Sequence, residues 1–260
     1  MNKIFLASIF LCVSTISNLA CSAVLLQKTR VILEPGSNEA ELTIDAQKNV
    51  SSLVQTWVSG PDNNVVSHFT IMPSISLLKA GQSQTLRLVY QGDGVPQDRE
   101  SLLYLNIQDS VAVSDELQGK NAINSSFLQV IKGFYRPNSL TQEGAAEAPL
   151  ALTWEVRRRN DASFSLRLIN PSPFHVVFSG ISLVTEKNKN GKISSVTNTS
   201  FDYIKPYSTS DIEISNTGNI ANIEKIVYLV INDYGMTEAY SSNIKSGRSI
   251  DVKKIPRRNG

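Results

Sequence analysis

The 260-residue chain carries 25 Lys and Arg against 23 Asp and Glu, a formal charge of +2 so nearly balanced that no large polyanion such as nucleic acid is implied as a partner. His68 and His175 are the only histidines, and Cys12 and Cys21 the only cysteines. That is too few, and too scattered, for a zinc or copper centre or a histidine-driven hydrolase.

The N-terminus reads as an address rather than as fold. Lys3 precedes the apolar run Ile4 to Ile16, and Ala20, Ser22 and Ala23 supply small residues, so residues 1–23 are expected to be a secretory signal peptide cleaved after Ser22 or Ala23. The run is shorter than the roughly 20 residues a membrane-spanning helix needs. Cys21 could mark a lipid anchor, but Asn18 stands where such a signal carries an apolar residue. Both cysteines fall in the segment to be removed, so the exported chain is expected to fold without a disulfide.

From residue 24 onward, alternation with period two dominates. Ala40, Leu42, Ile44 and Ala46 share one strand face, and Leu86, Leu88 and Tyr90 another. Further strands are expected over Leu53 to Val58, Leu102 to Ile107 and Phe127 to Tyr135, punctuated by Pro35-Gly36-Ser37-Asn38, Gly60-Pro61-Asp62-Asn63 and Gly92-Asp93-Gly94. Asn138 to Pro149 lacks alternation and reads as a linker holding at most a helical turn. Beyond it, Phe164, Leu166 and Leu168 alternate with polar residues, and strands follow around His175 to Phe178, Ile181 to Val184, Asp211 to Ile214 and Ile226 to Ile231, with Asn190-Gly191 as a hairpin signal. The expected organisation is all-β: one sandwich over 24–140, a linker over 141–149, a second sandwich over 150–246 and a basic, frayed tail over 247–260.

No catalytic motif accompanies this pattern. Gly81-Gln82-Ser83-Gln84-Thr85 lacks the last glycine of a nucleophile elbow and precedes a strand, and no glycine-rich phosphate loop is present. No cofactor, metal or nucleotide is expected, and no enzymatic activity.

Motifs along the whole exported chain carry a resemblance instead. Pro96-Gln97-Asp98-Arg99-Glu100-Ser101-Leu102-Leu103-Tyr104-Leu105-Asn106 and Ile131-Lys132-Gly133-Phe134-Tyr135-Arg136-Pro137 are joined by Thr29-Arg30, Gln55-Thr56-Trp57, Asn170-Pro171-Ser172-Pro173-Phe174 and Ile231-Asn232-Asp233-Tyr234-Gly235. In order and spacing they resemble the periplasmic pilus (fimbrial) chaperones. The resemblance implies two immunoglobulin-like β-sandwich domains in a boomerang arrangement, a periplasmic location, and no use of nucleotide. Its implied work is to bind, fold and cap fimbrial subunits by lending them a strand, and to deliver them to an outer-membrane usher.

The resemblance also implies roles for residues. Arg30 and Lys132 are expected to hold the subunit's C-terminal carboxylate. Two donors on one carboxylate fix the register of a strand that could otherwise slide. The lent strand is expected near 123–131, presenting Ile123, Ser125 and Phe127 to the subunit, while Leu128 and Val130 pack into the chaperone's own core. Ser125 departs from the larger apolar residue of the family, which implies a weak central contact or a register moved by two. Glu100, Arg136 and Asp233 match a charge cluster expected to fix the angle between domains. The stretch from Asn106 to Lys132 is a little longer than in the short-loop branch of the family but lacks the cysteine pair of the long-loop branch, so the short-loop branch is favoured. Pairing of free chains to hide the lent strand is compatible with the same physics. The competing reading is a structural surface protein, a fimbrial subunit or adhesin-like sandwich. Against it, the exported chain runs directly into the strand that bears Arg30.

Overall fold

A computed structural model describes residues 24–92, 94–111, 126–160, 163–185, 195–198, 201–214 and 223–256. The expected signal peptide, the Asn190-Gly191 hairpin and the residues 112–125 that bear on the short-loop assignment lie outside them.

The described residues of the first domain form β1 (Val24–Leu26), β2 (Arg30–Leu33), β3 (Glu39–Ala46), β4 (Ser52–Ser59), β5 (Phe69–Met72), β6 (Ile75–Leu78), β7 (Ser83–Tyr90), β8 (Ser101–Val111) and β9 (Ser126–Tyr135). They form a four-stranded sheet, β1-β3-β7-β5, and a five-stranded sheet, β2-β9-β8-β4-β6. All pairings are antiparallel except β2 with β9. The alternating residues supply the core: Leu42 and Ile44 from β3 and Leu86 and Leu88 from β7 meet Val54, Leu105 and Ile107 of the facing sheet, all buried. Each such side chain contributes roughly 1.5 to 3 kcal/mol of burial free energy. The turn before β3 is closed by Gly36 at φ +81°, a conformation that disfavours any residue with a Cβ.

Between the domains lies a helix, α1 (Gln142–Ala151), in place of the expected linker. The Thr141 hydroxyl caps it, accepting from the Gly144 amide at 3.1 Å. Ala145 and Ala148 join the second core, and the Tyr228 hydroxyl donates to the Pro149 carbonyl at 2.7 Å. Small residues make a weakly amphipathic helix, which is why its apolar face was not legible as a period.

The second domain contains β10 (Thr153–Asn160), β11 (Ser163–Asn170), β12 (Val176–Thr185), β13 (Ser195–Asn198), β14 (Tyr203–Ile204), β15 (Ser208–Ile214), β16 (Ile223–Ile231), β17 (Thr237–Lys245) and β18 (Arg248–Ile255). Its strands run in the order β13-β12-β16-β17-β18-β10-β11-β15, with β14 beside β12. The two arms of this sheet enclose a core in which Trp154, Leu166, Leu168 and Ile212 from one arm meet Phe178, Ile181, Leu183, Ile226 and Tyr240 from the other. Tyr228 lies 5.3 Å from Trp154 and stacks on Tyr240 at 5.5 Å between ring centres.

The expected frayed tail differs most. Residues 248–255 pair with β17 and, through Arg248 opposite Glu155, reach β10, so they join the two arms. Their charges face solvent while the backbone carries the ladder, a polar composition that reads as a tail when only polarity is weighed. A small apolar cluster seats one domain on the other: Leu102 and Phe134 meet Val177, with Ile32, Tyr104, Tyr203 and Ile231 around them.

Candidate functional site: the interdomain cleft

The five-stranded sheet aims a row of side chains at the second domain. Arg30 on β2 is the register partner of Lys132 on β9, and Lys132 that of Tyr104 on β8, so all three project from one face. The structure therefore brings Arg30 and Lys132 together as neighbours on adjacent strands. The Arg30 guanidinium is buried beside the Phe134 ring, 5.9 Å from its centre, and Nη1 donates to the Ile231 carbonyl at 2.9 Å. Arg30 Nε has no hydrogen-bond partner among the described residues. Burial pulls the Arg30 pKa down, opposed by the charges of Asp233, Glu100 and Asp202. Lys132 Nζ lies 2.9 Å from Asp202 Oδ1, across the cleft. Burial, with help from Tyr203 and Asp202, pushes the Tyr104 hydroxyl up to about 12, so it stays protonated beside them.

One step away, Glu100, Arg136 and Asp233 converge. The Arg136 side chain is 1 % exposed, with Nη2 2.9 Å from Glu100 Oε1 and Nη1 3.0 Å from Asp233 Oδ2. Glu34 stands 3.7 Å away, and the Phe174 ring lies under the guanidinium at 5.5 Å. Burial opposes the Arg136 charge, but the bonds and charges of Asp233 and Glu100 outweigh it and hold its pKa above the ordinary value. The second oxygen of Glu100 accepts from the His175 amide at 2.9 Å and lies 3.1 Å from His175 Nδ1. With the Glu100 amide donating to the Pro173 carbonyl at 2.9 Å, this network spans both domains.

The strand expected to be lent is partly described. Ile123 and Ser125 lie outside the described residues, and Phe127 sits half-buried on β9 opposite Asp109. The assignment of Leu128 and Val130 to the chain's own core is corrected: they are 54 % and 50 % exposed. Gln129 and Ile131 stand opposite the buried Ile107 and Leu105, so the inward set is Phe127, Gln129 and Ile131. A strand apolar on both faces has a visible period but no visible inside. Along 126–131 β9 pairs with β8, and its parallel pairing with β2 begins at Lys132. There Gln129 Nε2 donates to the Val24 carbonyl of β1 at 2.9 Å, bridging the mouth of the sandwich.

Comparison with known families decides the class. Residues 23–141 match the model described as pili and flagellar-assembly chaperone, PapD N-terminal domain, and residues 147–242 match that of the pili assembly chaperone PapD, C-terminal domain. The chain belongs to the PapD-type pilus-assembly chaperones. This chaperone is 30 % identical over 230 residues to the probable fimbrial chaperone YadV of Escherichia coli K12, covering 84 % of this chain and 89 % of YadV. It is 29 % identical to the chaperone protein FimC of the same strain, covering 82 % and 81 %. The crystal structure of the YadV chaperone superposes with a TM-score of 0.68 at 28 % identity, over 85 % of this chain and all of that one.

Sequence reasoning missed several groups that shape the chaperone's cleft. Asp202 and the Ile231 carbonyl hold the two cations, and His175 completes the Glu100 network. His175 had a local signal, since it follows directly on Asn170 to Phe174, whose Asn170 Nδ2 bonds the Phe174 carbonyl at 2.7 Å. Asp202 had none.

Proposed function

We propose that this pilus-assembly chaperone works in the periplasm, after export directed by residues 1–23. There it binds fimbrial subunits by strand lending and passes them to an outer-membrane usher. An unfinished sandwich exposes an apolar groove with unpaired backbone groups, and a lent strand closes both deficits at once. β9 is suited to lending because its pairing with β2 begins only at Lys132, so the edge along 126–131 lies beyond that ladder. Described residues contain no helix long and apolar enough to cross a membrane.

The observation that carries the anchor role is the pairing of Arg30 with Lys132 on adjacent strands at the foot of that edge. A carboxylate lying between them would receive donors from both, in a cleft where Arg30 is already desolvated. Glu100, Arg136 and Asp233 hold the second domain at the angle that keeps this cleft open. Co-purification with the subunits encoded nearby tests the reading. Arg30→Ala and Lys132→Ala should each weaken the complex by about 2 to 5 kcal/mol if the site is desolvated. Retention of subunits by both variants at native levels would remove the anchor assignment.

A further inference from the structure

The two cations of the cleft are unequally satisfied. Lys132 is paired with a carboxylate, Asp202, at 2.9 Å. Arg30 is paired with a neutral carbonyl, and its Nε is buried without a partner among the described residues. The row therefore holds one anion, displaced to one side of a site built for an anion shared by both. The Asp202 backbone is fixed, because its carbonyl accepts from the Phe178 amide at 2.7 Å and the next residue, Tyr203, pairs with Val177. Among the described residues its carboxylate has no bond other than that to Lys132. The Asp202 side chain is 53 % exposed against 21 % for Lys132, so rotating it into water costs little desolvation, while leaving Lys132 unpaired would cost more.

We propose that Asp202 is a built-in competitor for Lys132, standing in for the subunit's terminal carboxylate while the cleft is empty and retaking the lysine as the subunit leaves. This rests on the anchor role of Arg30 and Lys132. A tethered carboxylate acts at high local concentration and needs no diffusion to reach its lysine. It keeps the amine oriented toward the cleft, and it lowers the net gain from binding a free carboxylate. A carrier that must both hold and hand over its cargo benefits from such a counterweight, since it acts on the departing step. A carboxylate bridging both cations makes bonds that Asp202 alone does not, because no bond links Asp202 to Arg30.

The test uses the exported full chain and a synthetic peptide of alternating apolar residues ending in a free carboxylate, with its C-terminal amide as control, measured by fluorescence anisotropy. Asp202→Asn should bind the carboxylate peptide roughly threefold to tenfold tighter, mainly through slower dissociation, and leave the amide peptide unchanged. In a Lys132→Ala background the same substitution should have no effect on either peptide. If Lys132→Ala weakens carboxylate binding but Asp202→Asn leaves it unchanged or weakens it, Asp202 is an interdomain strut and the competitor role is wrong. If Lys132→Ala itself has no effect, the anchor reading fails first and the competitor role falls with it. Thermal melts of Asp202→Asn, expected to fall only slightly because the pair it breaks is partly exposed, separate a binding effect from a folding one.

Discussion

Replacing Arg136 by alanine removes both partners' counter-charge from the most buried ionic site of the domain interface. The guanidinium makes two bonds to Glu100 Oε1, at 2.9 and 3.3 Å, and two to Asp233, at 3.0 and 3.3 Å. The Glu100 side chain is only 2 % exposed, so after the substitution its carboxylate would be buried with the His175 amide and ring as its remaining partners. Stranding one charge of a buried pair costs about 3 to 5 kcal/mol, a large share of a small protein's stability. A double variant, Glu100→Gln with Arg136→Met, neutralises the fully buried carboxylate and leaves only Asp233, 24 % exposed, without its cation, so it should cost less than Arg136→Ala alone. The assay is urea unfolding followed through tryptophan, because the chain's two tryptophans report separately: Trp57 lies on β4 in the first domain and Trp154 on β10 in the second. In single-tryptophan versions the two transitions should coincide in the native background and separate in Arg136→Ala. A loss below about 1 kcal/mol, or a double variant as costly as the single, would refute a charge-stranding origin.

Two further perturbations probe neighbouring contacts. Gly235→Ala should destabilise the domain contact by at least the roughly 1 to 2 kcal/mol of a left-handed non-glycine residue, since Gly235 has φ +76° and its added methyl would strike Thr29 Oγ1; Thr29→Ala should recover part of the loss in melting temperature, and no recovery would mean strain alone. Glu238 is partly buried, which opposes its charge, but Lys254 at 2.7 Å, Tyr240 at 2.8 Å and Asn232 at 3.0 Å outweigh burial and hold its carboxyl below the ordinary value. A depressed carboxyl stabilises the fold above its unfolded pKa and loses that contribution as pH falls through the folded one, so Glu238→Gln should melt lower than native at pH 7 and the gap should close below about pH 4; a gap independent of pH would contradict this.

Local periodicity made some elements legible and hid others for identifiable reasons. β3 and β7 bury one face and expose the other, and β11 alternates buried Leu166 and Leu168 with half-buried Arg167 and Ile169, so Leu42, Leu86 and Leu166 announced their strands. β9 is apolar on both faces, so its period was readable while its inside was not, and Leu128 and Val130 were assigned inward wrongly. The helix 142–151 and the strand 248–255 owe their order to packing and to ladder partners elsewhere in the chain, which composition does not encode. In the cleft, the run Ile131 to Pro137 drew attention to Lys132 and Arg136, and motif order added Arg30, Glu100 and Asp233. Asp202 lies 70 residues from Lys132 with no motif around it, and only the folding of one domain against the other brings it near.

That juxtaposition has a thermodynamic consequence. Arg30 and Lys132 belong to the first domain, but their present partners, Ile231 and Asp202, belong to the second. On the anchor reading, a carboxylate that takes Lys132 also removes a bond between domains, so subunit binding and domain orientation are linked through the same lysine, and each must bias the other by an equal free energy. Loosening the Glu100, Arg136 and Asp233 cluster should then alter subunit affinity without touching the subunit, because it changes how firmly Asp202 is presented to Lys132. The direction follows from geometry: a second domain free to swing away withdraws Asp202 and the Ile231 carbonyl together, relieving Lys132 of its competitor while depriving Arg30 of the support that aims it. Carboxylate affinity in Arg136→Ala would therefore depend less on residue 202 than it does in the native chain, and a full Asp202→Asn effect in that background would show that the two contacts act independently.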